Sequence, residues 1–86
     1  MPKVSEFLGI SVYVYYEDHP PPHFHVVYSG DEAVILIDHL RVTRGRLPPR
    51  VFGLVLEWAF QHRLELGEVW RQAQAFEPLT RIPPLE

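Results

Sequence analysis

Three histidines fall within seven residues in the stretch "HPPPHFH", positions 19 to 25. Imidazole is the side chain that changes charge nearest neutral pH, and it is a common metal ligand. His23 and His25 lie two apart, so an extended strand puts both on one face. Upstream, "ISVYVYY" at 10–16 gives Tyr13 and Tyr15 a common parity as well. If the two segments pair as a hairpin, two phenols and two imidazoles meet on one side of a sheet.

Three uses fit that patch. In the first, His23 and His25 are catalytic, one taking and one giving a proton across a reacting centre, with Tyr13 or Tyr15 assisting. Arg41, Arg44 and Arg46, from the acid-free run "RVTRGRLPPR", would then bind an anionic phosphate of the substrate. In the second, a divalent metal such as zinc is held by three or four ligands at about 2 Å. His23 and His25 supply two, His19 is the nearest further candidate, and Asp18, His39, His62 and Glu65 could also complete the set. A straight polyproline run rises about 3.1 Å per residue and would hold His19 roughly 12 Å from His23. A cis proline or a sharp turn is needed to bring it back. In the third, the rings cap the loop by hydrogen bonds and are partly buried.

The elements that must position these groups follow from pattern. "ISVYVYY" is β-branched and aromatic and reads as a strand, broken by "EDHPPP". "HFHVVY" at 23–28 is a second strand, "SGDE" a tight turn, and "AVILID" at 33–38 a third strand, with "RVT" a short fourth before Gly45. Pro48 and Pro49 suit the first turn of a helix. From Val51 the apolar positions keep a helical spacing through Ala73. One straight helix over 49–76 would be roughly 42 Å long, too long for so small a domain, so a bend near Gly67, or an end that projects toward a partner, is expected. The expected fold is α+β: an antiparallel three- to four-stranded meander packed on one face by a C-terminal helix, in a single domain over residues 1–86. Trp58 and Trp70 are expected as core or interface anchors, with Trp58, His62 and Glu65 on one helix face.

Eighty-six residues support one core, and the absence of cysteine excludes disulfides and thiolate–zinc sites. The formal charge of −3 argues against a general nucleic-acid coat protein. The N-terminal stretch does not read as a secretory signal and no segment spans a bilayer, so a cytoplasmic protein that does not engage membranes is expected.

The segments "SEFLGI", "YYEDHPPPHFHV", "DHLRVTRGRLP", "LVLEWAFQHRLEL" and "EPLTRIPPLE" together resemble a family of small bacterial proteins, the domain of unknown function numbered four-one-six-zero. The resemblance places its signature on His19, Pro21, Pro22, His23, Phe24 and His25, with a weaker match at Trp58 and His62. Pro20 and Gly67 depart from it, where a polar and an apolar residue are expected. The resemblance implies a toxin component of a two-gene toxin–antitoxin module, with a cognate small partner protein encoded nearby. Such a toxin would act on nucleic acid or the translation apparatus. The alternative is a non-catalytic binding or regulatory module for a partner protein or DNA, with a structural metal, and homo-oligomers are compatible with either.

Overall fold

In the computed structural model, which describes residues 2–86, five strands precede two helices. The strands are β1 Lys3–Phe7, β2 Ile10–Tyr13, β3 His23–Tyr28, β4 Asp31–Leu36 and β5 Val42–Gly45, and the helices are α1 Pro49–Gln61 and α2 Arg63–Gln74. The sheet is an antiparallel meander in the order β1-β2-β3-β4-β5. The α+β class agrees with expectation; the strand number is five rather than three to four. The additional strand is β1, whose Lys3, Ser5 and Glu6 hide its pattern and whose pairing with β2 is irregular between Lys3 and Ser5. Leu8 and Gly9, both at positive φ, close its hairpin, as two-residue turns of matching twist require. Ser29 and Gly30 do the same between β3 and β4, so β4 starts at Asp31 and not at 33.

The inner sheet face presents Val4, Ile10, Val12, Phe24, Val26, Ala33 and Ile35 to one core shared with the helices. There they meet Val51, Val55, Trp58 and Ala59 of α1 and Leu66, Val69 and Ala73 of α2. Trp58 is fully buried and its indole N–H donates to the Pro83 carbonyl at 2.8 Å. Tyr16 is exposed although it shares the parity of the buried Ile10, Val12 and Val14, because the strand ends at Tyr13 and Tyr16 enters a turn.

The helical pattern breaks at His62 rather than near Gly67. His62, at φ −118° and ψ 28°, ends α1 and precedes α2, while Gly67 lies inside α2. The longest dimension of the domain is 34 Å, so a straight rod over 49–76 would overhang it. The break lets Val55, Trp58 and Ala59 enter the same core as Leu66, Val69 and Ala73. Gly67 is exposed, and a Cβ there would meet nothing within 4 Å.

Residues 77–86 run without regular structure. Ile82 is buried and its N–H donates to the Val4 carbonyl at 2.8 Å, while Thr80 and the Gln72 carboxamide exchange two hydrogen bonds. This tail covers part of the β1 edge, which would otherwise offer unpaired backbone groups. Among the described residues no helix is long and apolar enough to cross a membrane.

Candidate functional site

Strand pairing aligns Tyr13, His25, Val34 and Arg44 in one row across β2, β3, β4 and β5, on the face away from the core. Arg44 reaches that row through a bulge. Val34 pairs with Arg44 but Ile35 pairs with Val42, so Thr43 is the extra residue. Gly45 closes the bulge at φ 75°, where a Cβ would lie 2.0 Å from the Glu32 carbonyl oxygen. Only glycine fits there.

A turn at Tyr16–Glu17, with Glu17 at φ 58°, sends Asp18 back over the end of β3. Its Oδ2 then accepts from His23 Nε2 at 2.8 Å and from His25 Nε2 at 3.2 Å. Its Oδ1 accepts the His19 backbone N–H at 2.9 Å, and the Asp18 carbonyl accepts from Gln74 Nε2 of α2 at 3.0 Å. His23 Nδ1–H donates to the Pro21 carbonyl at 2.8 Å. The edge-to-face Tyr15 and His25 rings lie 4.4 Å apart, and the Trp70 ring of α2 lies 5.2 Å from that of His23.

This network fixes proton positions. A carbonyl oxygen only accepts, so the Pro21 contact places hydrogen on His23 Nδ1. His23 Nε2 then faces a carboxylate oxygen at 2.8 Å, and lone pairs meeting at that distance repel. A second proton or a cation must stand between them. His25 differs: Nε2–H donates to Asp18, while Nδ1 is 4.0 Å from Glu32 Oε2, beyond hydrogen-bond reach.

Burial alone would raise the Asp18 pKa. The hydrogen bond from His25, the His19 N–H and the charge and bond of His23 outweigh it and hold the carboxyl below its usual value. Tyr15 moves the other way, raised by burial and then by Glu32, Tyr13 and Asp18, so at neutral pH its phenol is a proton donor.

The structure thus brings together His23, His25, Tyr13 and Tyr15. Of the three arginines, Arg44 lines the two hollows beside His25, and Arg41 and Arg46 line neither. The Pro20–Pro21 peptide is cis, and His19 lines the same hollow. Its ring is nevertheless outside the group of converging ligand atoms, where Asp18 takes the third place. His39 is exposed after β4, and His62 pairs with Glu65 at 2.6 Å on the helices, so neither joins the cluster. Trp70 was not anticipated beside the histidines. Its place in the helical stripe marked it as apolar, and nothing local told that it would touch His23.

A family model described as Domain of unknown function (DUF4160) matches residues 9–71, a span that contains all three cluster residues. No curated protein and no solved structure matches the chain.

Proposed function

The chain belongs to the DUF4160 family, and from that premise we propose that it is the toxin-like member of a two-gene module. It acts in the cytoplasm on phosphate-bearing targets, nucleic acid or the translation apparatus, at the Asp18–His23–His25 centre. One observation supports this most: two imidazoles converge on a single carboxylate oxygen, with His25 in register with Arg44 on an open sheet face. Asp18 orients His25 through Nε2–H and leaves Nδ1 to take a proton from an attacking hydroxyl or water. His23, held between the Pro21 carbonyl and Asp18, keeps the carboxylate in place beside the reacting group. Arg44 holds the substrate phosphate and Tyr15 donates from its phenol. A cognate small protein that covers this face would neutralise the toxin.

Overexpression in a bacterial host tests the reading. Wild type should arrest growth, and a His23→Ala/His25→Ala variant that accumulates to the same level should not. If neither chain affects growth, or both do equally, the reading fails. The exposed Phe60 and Leu64 on the helices favour a second reading, a non-catalytic binding or regulatory module for a partner protein. Co-purification with the neighbouring gene product that survives the histidine substitutions but is lost in Phe60→Ser/Leu64→Ser would support it.

A further inference from the structure

We infer that Asp18, His23 and His25 form a binding site for one divalent transition-metal ion, with Asp18 Oδ2 and the two imidazole nitrogens as ligands. The three ligand atoms lie within 4.8 Å of one another. The carboxylate oxygen is 2.8 Å from one Nε2 and 3.2 Å from the other. Ligands about 2.0–2.2 Å from a shared ion stand roughly 3–3.5 Å apart at tetrahedral or octahedral angles. Both carboxylate–imidazole separations are within a few tenths of an ångström of that spacing, and the two imidazole nitrogens lie within 4.8 Å of each other on the same side of the carboxylate oxygen.

A second observation points the same way independently of spacing. The Pro21 carbonyl ties up His23 Nδ1, so Nε2 is the ring nitrogen presented to an ion beside the carboxylate. Two of the three ligands, His23 and Asp18, are also held from behind in the manner of metal sites. Pro21 fixes the His23 tautomer, the His19 N–H fixes the far oxygen of Asp18, and Gln74 ties the Asp18 backbone to α2. The side chains of His23, His25 and Asp18 are 12%, 17% and 21% exposed, half-wet enough for an ion to enter.

Two nitrogens and one carboxylate oxygen suit zinc with a vacant fourth position, or iron, manganese or cobalt with more. The hollow shared with Thr43 and Arg44 leaves room for that position. The ion would supply a Lewis acid and an acidified water next to Arg44, so the water rather than His25 Nδ1 becomes the source of base. Binding itself does not depend on the toxin reading.

The test uses the untagged full chain, stripped with chelator and titrated with zinc chloride. Calorimetry should find one equivalent per chain, and melting should rise by on the order of 10 °C at about 100-fold excess over Kd. Asp18→Asn and His25→Gln should each weaken binding by ~100-fold or more, with far-UV circular dichroism unchanged. Cobalt substitution gives a separate readout: the visible bands of a bound low-symmetry ion should appear in wild type and vanish in both variants. His19→Gln, outside the cluster, should keep affinity within about twofold, given that it supplies no first-sphere atom. Absence of a saturable equivalent, binding indifferent to Asp18→Asn and His25→Gln, or loss of binding in His19→Gln would each overturn the assignment. A chain that binds zinc but spares growth keeps the metal site and loses the toxin reading, and the opposite pair of results does the reverse.

Discussion

Replacing Asp18 with Asn keeps the size of the side chain and removes the charge on which two imidazoles converge. Hydrogen bonds to a charged partner contribute about 1.5–3 kcal/mol when well buried. Here the three side chains are 12–21% exposed, and Asn retains one acceptor oxygen. The loss at pH 7 in chelator should therefore be about 1–2 kcal/mol, discounted for solvent screening. For a domain of this length that is a fall of roughly 5–15 °C in Tm. The sign of the pH dependence is set by the lowered pKa of Asp18 in the folded chain. A depressed carboxyl contributes stability that is complete above its unfolded value, about 3.9, and is lost as pH falls through the folded value. The gap between wild type and Asp18→Asn should be wide at pH 7 and 5 and close progressively below about pH 4. Urea unfolding at pH 7, 5 and 3, with chelator throughout, measures it. A gap that stays constant across that range would mean that packing, not charge, is responsible. No gap at pH 7 would mean that the cluster is not held by Asp18.

Two glycines give opposite expectations. Gly45→Ala forces a Cβ to within 2.0 Å of the Glu32 carbonyl oxygen at a positive φ, and backbone cannot yield as a side-chain tip would. It should cost about 3 kcal/mol in urea unfolding, and a loss below ~0.5 kcal/mol would refute the bulge geometry. Gly67→Ala adds a Cβ that meets nothing, inside a helix, and should raise stability by about 0.5–1 kcal/mol. A destabilising result would mean that the chain bends there after all.

What the sequence disclosed of the fold was what its local chemistry decides. The alternation of His23–Tyr28 defines β3 to the residue, and Pro49 marks the start of α1. β1 escaped because Val4 and Phe7 are its only large apolar side chains, and its strand conformation is secured by β2 on one side and the Ile82 N–H on the other. Gly67 looked like a hinge because isolated glycine weakens a helix, yet the break occurs at His62. That position lies beside the Trp58 ring, at a centroid separation of 5.7 Å, where both halves must face one sheet. Tertiary packing chose the site of the break, and no local signal carries that choice.

The site divides along the same line. Parity alone places His23 and His25 beside Tyr13 and Tyr15, because a strand offers only two faces. Convergence is a different matter. Asp18 reaches the two imidazoles only because Glu17 adopts a positive φ, and it stays there only because the His19 N–H and Gln74 hold it. Arg44, rather than Arg41 or Arg46, joins the open face because one extra residue at Thr43 shifts the register and Gly45 permits it. Glu17, Gly45 and Gln74 touch no reacting atom, and what Glu17 contributes is its backbone angle rather than its carboxylate, while the types of Gly45 and Gln74 say nothing of acid–base or metal chemistry. Gln74→Ala should therefore loosen Asp18 and weaken whatever the cluster binds while leaving every candidate ligand in place. A sequence scan for reactive residue types would rank that position as neutral, and for this site that ranking is wrong.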